Sequence, residues 1–454
     1  MDIELLVLGS GPAGYYCALE AARAGFRTAL AEKAELGGTG FRWGCLPVKM
    51  GLDALRRAMP SRAAAAAGPV GQRPTRRPRP ALPSPARMAE VERRLEEGLR
   101  AAGVALLRGE ASFLDAHTLA VGDRRVQAGA VVIATGSRPA APAGLALDGE
   151  RVVSHADLVR QARAPRSVAI VGADVEGAEL ACLLAGLGAR VHLLEQETEI
   201  LPGQDRDLAG PVQATLEALG VRLHLGARVI SAGAGRSPFS ARSPLAARGV
   251  ALELAGGAKL EAQRALVTGL RVPNLPAGLD RAGVAWAADR IPVDKQFRTS
   301  GDGVYAIGDV NGLCGMAHAA IQQGLLLPQA LRGGPPAPAA YPSPPRALFT
   351  IPEIAGAGLQ ERELEARGAP FRRVRVDLAD TWRGISLRPQ GFVKVLAAPD
   401  GRLLGIWACA ENASELAAPF GPLLDRGATA EEVRRSLFIH PTLAESLLEA
   451  VRRL

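Results

Sequence analysis

The chain has 454 residues, 48% apolar and 22% charged, enough apolar material to fill the cores of several domains. No run of about 18 apolar residues is free of charge, and the first residues enter a strand-like run without a basic region or cleavage site. Neither a membrane span nor a signal peptide is therefore expected, and the protein is read as cytoplasmic. Lys and Arg number 54 against 46 acidic residues, a net charge of +8, but aromatics make up only 4%, which speaks against a nucleic-acid surface.

The first predicted element is the apolar strand 5–8, which runs into Gly9-Ser-Gly-Pro-Ala-Gly14. A helix follows over residues 15–24. A second apolar run, 28–31, ends at Glu32, 18 residues after Gly14. Strand, G-x-G-x-x-G turn, helix, strand and acid together form the dinucleotide fingerprint. Gly9 allows the tight turn, Gly11 lets a pyrophosphate approach the backbone, and Gly14 allows close helix–strand packing. The helix N-terminus favours the anionic pyrophosphate, and Glu32 suits ribose hydroxyls.

Residues 37–49 read Gly-Gly-Thr-Gly-Phe-Arg-Trp-Gly-Cys-Leu-Pro-Val-Lys. The segment 60–87 then carries six arginines (Arg62, Arg73, Arg76, Arg77, Arg79, Arg87) and no acid. Alanine, proline and glycine fill most of the rest, so a flexible basic insertion is expected. An apolar run at 131–133 leads into Ala134-Thr135-Gly136-Ser-Arg-Pro139.

The fingerprint recurs further along. The strand-like run 168–171 leads to Gly172-Ala-Asp174-Val-Glu176-Gly177, with a helix to about residue 187 and a strand at 191–194 ending at Glu195, again 18 residues past the last glycine. Two such units imply two nucleotides. In this copy the middle position is Asp174 rather than glycine, which puts a side chain and a like charge where a pyrophosphate would lie. Glu176 adds a second acid. Residues 231–249, rich in Ser, Arg, Gly and Ala, read as a long hairpin connection. Residues 299–309 end a strand at Gly308-Asp309, a helix is expected over 315–323, and a Pro-rich linker spans 333–345. Beyond it, strands at 373–376, 391–396 and 403–408 alternate with helices at 359–367, 415–426 and 430–437, and His440-Pro-Thr-Leu-Ala-Glu445 closes the pattern. The five cysteines, 17, 45, 182, 314 and 409, show no C-x-x-C and no zinc spacing, so no metal site is expected.

These motifs resemble the pyridine nucleotide-disulfide oxidoreductases, the flavin disulfide reductases, and are most similar to the dihydrolipoamide dehydrogenase branch. The resemblance implies an α/β protein with two Rossmann-like dinucleotide-binding domains, one for FAD (1–145 and 265–335) and one of NAD type (146–264), and a C-terminal α+β dimerisation domain (346–454). It implies FAD contacts from Gly9, Gly11, Pro12, Ala13, Gly14, Glu32, Lys33, Gly38, Thr39, Thr135, Gly136, Gly308, Asp309, Met316, Ala317 and His318. It implies NAD contacts from Gly172, Gly177 and Glu195, with NAD(H) binding weakened by Asp174 and Glu176. The carboxylate of Glu195 favours NAD over NADP.

The family carries a C-x4-C disulfide in the segment matched by residues 37–49. Here Cys45 matches the second, flavin-proximal cysteine, and Gly40 stands at the first position. The resemblance further implies Lys49 beside the flavin with Glu179 as its partner, and His440 as a base oriented by Glu445 and reaching the other subunit of a homodimer. Three functions follow as expectations. The first is an FAD-dependent oxidoreductase with altered thiol or electron-transfer chemistry on a small thiol, sulfur or peroxide substrate. The second is a flavoprotein electron carrier served by an acidic protein partner, with little use of NADH. The third is a non-enzymatic FAD-bound dimeric scaffold. Cys314 could stand in for the missing sulfur. A cysteine at position 40 would restore the C-x4-C spacing.

Overall fold

A computed structural model describes residues 3–59, 82–161, 163–236, 248–335, 341 and 343–454. The first sheet places strands Ala105–Arg108, Thr28–Glu32, Ile3–Leu8 and Arg124–Ile133 side by side in parallel, and Val304–Ala306 pairs in parallel with Arg124–Ile133. The chain thus leaves this sheet after Ile133 and returns to it far along the sequence. Strands covered on both faces need continuous apolar runs. Leu5, Leu6, Val7, Leu30 and Val132 are accordingly fully buried, each burial contributing roughly 1.5–3 kcal/mol. Helices Pro12–Arg23 and Ala317–Leu331 cross closely over this sheet. The contact requires Gly324, since a Cβ there would lie 2.4 Å from the Ala13 carbonyl oxygen.

The second parallel sheet runs in the order Arg222–His224, Arg190–Leu194, Ser167–Val171, Arg264–Val267, Val152–Val153. An antiparallel layer, Val229–Arg236, Arg248–Leu254 and Lys259–Ala262, packs beside it. The expected hairpin connection is therefore strand up to residue 236 and again from 248, and its centre lies outside the described residues. Strand Arg271–Pro273 pairs antiparallel with Ser137–Pro139 and ties the two parallel-sheet lobes together.

The C-terminal sheet is antiparallel, in the order Arg346–Leu348, Glu353–Gly358, Leu403–Ala410, Gly391–Ala397, Arg372–Asp377. The strands expected at 373–376, 391–396 and 403–408 fall within three of these, each extended by one or two residues. The helix expected over 415–426 is split into Ala413–Leu416 and Phe420–Asp425, with Pro419 at the break. A proline interior to a helix loses a backbone donor and clashes with the preceding turn. The basic insertion also needs correction at its end. Residues 60–81 lie outside the described residues, but Ser84 caps a helix Pro85–Ala101 by accepting from the Arg87 amide at 3.3 Å, so Arg87 is helical.

Lys394 joins the second lobe to the C-terminal sheet. Its side chain is fully buried, and its Nζ lies 2.7 Å from carboxylates of Asp205, Asp207 and Glu361. Burial alone would push its pKa down, but the three carboxylates outweigh this and hold it above the usual lysine value. Removing one partner from a buried ion cluster strands the others. Lys394→Met is therefore expected to lose about 3–5 kcal/mol of stability by urea unfolding at neutral pH. A loss below about 1 kcal/mol, the value of an exposed pair, would show that solvent reaches these acids.

Candidate active site

A cleft of about 770 Å³ opens where the carboxyl ends of the first sheet's strands meet the second lobe. Its floor is the first glycine turn. Gly9 has φ +100°, a conformation L side chains rarely adopt, and a Cβ on Gly14 would sit 1.9 Å from the Gly9 carbonyl oxygen. A Cβ on Gly11 would meet nothing within 4 Å, so the backbone at the start of helix Pro12–Arg23 faces open cleft. Such a bare helix start suits an anion. Glu32 turns one carboxylate oxygen to the Ser10 amide (2.9 Å) and hydroxyl (2.6 Å), and the other to the Ala34 amide at 3.0 Å.

Of the residues expected to contact FAD, Gly9, Gly11, Pro12, Ala13, Glu32, Lys33, Gly38, Thr39, Thr135, Gly136, Gly308, Asp309 and Ala317 line this cleft. Gly14 lies behind the turn, in its packing role. Met316 and His318 do not line the cleft. Met316 is the residue before helix Ala317–Leu331, and His318 is exposed. Only Gly315, Ala317 and Ala320 of that segment reach the wall; within the helix Ala317 and Ala320, three apart, share one face, and His318 points away.

Asp309 accepts from the Ser137 hydroxyl at 2.6 Å, and Ser137 Oγ in turn accepts from Arg271 Nε at 2.8 Å. Arg271 also donates to the Ser137 carbonyl (2.9 Å) and to Thr39 Oγ1 (3.3 Å). Sequence reasoning missed Arg271; the signal available was only its place beside Pro273-Asn274. Asn274 and Thr135 clip the turn at 134–136 reciprocally, at 2.6 and 3.0 Å.

Cys45 opens the helix Cys45–Ala58 and is exposed to the cleft, although protein crowds it on its other sides. That enclosure pushes its thiol above the ordinary value. Lys49 and Arg271 pull it down, and Glu179 and Asp309 push it up further. Lys49 Nζ donates to Glu179 Oε2 at 2.6 Å and lies 4.8 Å from the centre of the Phe349 ring. The other oxygen of Glu179 accepts from the Phe349 amide at 2.9 Å.

All five cysteines are free. Burial raises Cys17, takes Cys182 up to about 11 and Cys409 up to about 12, as expected for small core residues. Cys314 is buried and does not line the cleft, so it gives Cys45 no second sulfur there. Gly40 does line the cleft. A Cβ at this position would stand 2.3 Å from Pro12 Cγ, so the proline ring occupies the place a side chain would need.

The second glycine turn repeats the first. A Cβ on Gly177 would lie 1.9 Å from the Gly172 carbonyl oxygen, matching Gly14 and Gly9. Glu195 accepts from the Ala173 amide at 2.7 Å and the Glu197 amide at 3.1 Å, as Glu32 does from Ser10 and Ala34, but Glu195 is buried and does not line the cleft. At the position equivalent to Gly11, Asp174 caps helix Val175–Gly186 by accepting from the Gly177 amide at 3.0 Å. Burial raises the Asp174 pKa, the Gly177 hydrogen bond opposes this, and Glu176 and Glu195 add to it. Glu176 contacts Nδ1 of the buried His155. Burial pushes Glu176 up, but His155 and Arg271 outweigh it and hold the carboxyl below its usual range.

His440 and Glu445 pair at 2.9 Å, and the Thr442 amide donates to the other Glu445 oxygen at 2.7 Å. The Thr442 hydrogen bond, then His440, lowers the Glu445 pKa. The pair does not line this chain's cleft. It stands on the surface beside Leu437 and Ile439, which are 102% and 80% exposed.

A family model described as pyridine nucleotide-disulphide oxidoreductase matches residues 3–324, and the model of that family's dimerisation domain matches residues 344–451. The chain belongs to this family. Dihydrolipoyl dehydrogenase 2 of Haloarcula marismortui is 32% identical, the match covering 98% of this chain and 95% of that protein. The dihydrolipoyl dehydrogenase of Pseudomonas aeruginosa is 31% identical, covering 100% and 97%. Among solved structures, LpdA from Mycobacterium tuberculosis superposes with a TM-score of 0.84 at 26% identity, covering 99% of both chains. The HOCl-induced flavoprotein disulfide reductase RclA from Escherichia coli superposes at 0.82 and 23%, again covering 99% of both, a likeness of fold.

The fold is thus α/β with two dinucleotide-type units and a C-terminal dimerisation domain, and the family's cofactor is FAD. The cleft of this member fits FAD. The open backbone at Gly11 suits the pyrophosphate, Glu32 the adenosine ribose, and Asp309 the ribityl region. Among the described residues no helix is long and apolar enough to cross a membrane.

Proposed function

We propose that this family member is an FAD-dependent oxidoreductase that works through one cleft sulfur, Cys45, rather than a disulfide. The carrying observation is that Cys45 is open to the cleft beside the Lys49–Glu179 pair, while Gly40 holds the position of the family's other sulfur and no second cysteine lines the cleft. Bound FAD would supply the two-electron redox chemistry. Around it Gly9, Gly11, Pro12 and Ala13 would hold the pyrophosphate end, and Lys49, held by Glu179, would place a positive charge beside Cys45. That charge favours the thiolate, the reactive form of the sulfur. A lone thiolate can be oxidised to a sulfenic acid or captured as a mixed disulfide or persulfide. The substrate class is accordingly a small thiol, sulfur or peroxide compound.

The domain division in this reading is 1–145 with 265–335 for FAD, 146–264 for the nicotinamide-type unit and 346–454 for dimerisation. His440 and Glu445 would serve the cleft of a second copy, with the exposed Leu437 and Ile439 covered in the homodimer. The protein would work in the cytoplasm.

One observation supports a second reading, an electron carrier fed by an acidic protein partner with little use of NADH. Asp174 caps the helix at which the pyrophosphate of NADH would bind. The expected result for the cofactor is a yellow protein that releases one FAD per chain on denaturation. Anaerobic reduction with NADH, and separately with NADPH, then divides the readings. Fast bleaching of the flavin band by NADH would remove the second reading. A colourless protein that FAD does not reconstitute would overturn both.

A further inference from the structure

His155 is the first residue of helix His155–Gln161, and its side chain is buried against the segment that carries Cys45. Nδ1 lies in ion-pair contact with the Glu176 carboxylate, and among the described residues both ring nitrogens are buried with no geometrically regular hydrogen bond, Nε2 having no polar contact at all. An unsatisfied buried polar atom is costly and calls for a reason. Nε2 lies near the residue before Cys45: a Cβ on Gly44 would stand 3.6 Å from it. His155, Glu176, Gly44 and Cys45 line the same cleft.

The neighbouring structure fixes this approach. Asp157 accepts from both the amide (2.9 Å) and the hydroxyl (2.7 Å) of Ser154, which sets the start of the helix. One helical turn on, the Arg160 guanidinium lies 4.3 Å from the centre of the Trp43 ring, clamping the helix to the redox segment. From the sequence, Glu176 and Asp174, two residues apart in the second glycine turn, read only as acids that weaken a nucleotide site. Glu176 instead holds an imidazole.

We propose that His155, oriented by Glu176, is the proton acceptor for the Cys45 thiol within a single chain. The inference rests on the reading of Cys45 as the reactive sulfur. The step is a proton transfer alone: the S–H bond of Cys45 breaks, the proton passes to Nε2 directly or through one water, and thiolate and imidazolium result. No electrons move. Glu176, held as a carboxylate, stabilises the imidazolium through Nδ1–H. Lys49 and Arg271 also face Cys45 and favour the thiolate, while Glu179 and Asp309 oppose it. Arg271 acts on Glu176 as well. The high thiol pKa set by enclosure is what makes a local base useful at neutral pH. The arrangement would let Cys45 ionise without His440 of a second copy.

The test is the rate at which iodoacetamide alkylates Cys45 across the pH range, in FAD-loaded protein, with the labelled peptide identified by mass. His155→Gln should react at least about tenfold more slowly than the parent at neutral pH, with the two rates converging in alkaline solution where the thiol ionises unaided. Glu176→Gln keeps the shape but removes the charge, and should fall between the two. His117→Gln, at a half-buried histidine that does not line the cleft, should match the parent. If His155→Gln fails to hold FAD, the Glu176→Gln profile decides. Parent-like profiles in the variants would overturn the proposal while leaving Cys45 reactive. A parent whose Cys45 is not alkylated at any pH would overturn the reading of Cys45 itself.

Discussion

The parent chain should not reduce lipoamide at a useful rate, and Gly40→Cys should give it the means to do so. A disulfide exchange needs one sulfur to attack the substrate and another to resolve the mixed disulfide, and Cys45 alone cannot do both. The introduced cysteine lies at the C-x4-C spacing and should pair with Cys45 on oxidation. The structure sets a cost on this. A Cβ at position 40 would stand 2.3 Å from Pro12 Cγ, so the ring must retreat. Overpacking of this kind costs about 1–3 kcal/mol. Closing so short a loop returns about 2 kcal/mol by the chain-entropy model. The two are of similar size and opposite sign. The reduced variant should therefore melt below the parent, and the oxidised variant close to it. The readouts are melting with and without a reductant, thiol counting, and lipoamide turnover in parent and variant. Turnover by the parent itself would refute the argument built on Gly40. A reduced variant as stable as the parent would show that Pro12 yields freely.

Both parallel-sheet units could be placed from sequence because each carries its information locally: an apolar run, glycines at fixed offsets, and an acid 18 residues on. The acids Glu32 and Glu195 indeed occupy equivalent places, each accepting from an amide of its own glycine turn. Three strands of the C-terminal sheet were also legible from apolar runs, to within two residues, whereas Arg346–Leu348 and Glu353–Gly358 were not. The site's contacts across long sequence distances were not. Arg271 bonds Ser137, 134 residues away, and no periodicity relates the two. His155 meets Glu176 through a tertiary contact between a short helix and a glycine turn, so Glu176 read only as an unwelcome charge. Pro12 was read for its place in the fingerprint, and nothing in its spacing shows that its ring fills the space beside Gly40. Met316, Ala317 and His318 were all expected at the FAD site from the resemblance, and only Ala317 of the three lines the cleft.

Asp174→Gly should tighten NADH binding at least tenfold, which corresponds to only about 1.4 kcal/mol. In the parent, the Asp174 carboxylate accepts from the Gly177 amide, at the helix start where the first unit leaves bare backbone at Gly11. A pyrophosphate there would lose that donor and face a like charge. At about 4 Å and an effective dielectric near 20, such repulsion is worth up to ~4 kcal/mol before solvent and rearrangement reduce it. Replacing a capping Asp by Gly costs the helix only a few tenths of a kcal/mol, so the gain in binding should not be hidden by unfolding. The pH dependence supplies a second check. Burial raises the Asp174 pKa, so its proton returns at a higher pH than on an ordinary carboxyl group. As pH falls from neutral, the repulsion weakens and the parent should bind NADH more tightly. The same sign applies to folding, since a raised carboxyl pKa means that the folded state gains stability as protons bind. Glu176, held below its usual range by His155 and Arg271 against its burial, stays charged over that interval and contributes no slope. Asp174→Gly should bind tightly and lose most of this acid-side gain. Calorimetric titration with NADH at neutral and mildly acidic pH measures both effects. Low-micromolar binding by the parent at neutral pH, or an unchanged pH slope in the variant, would remove Asp174 as the cause.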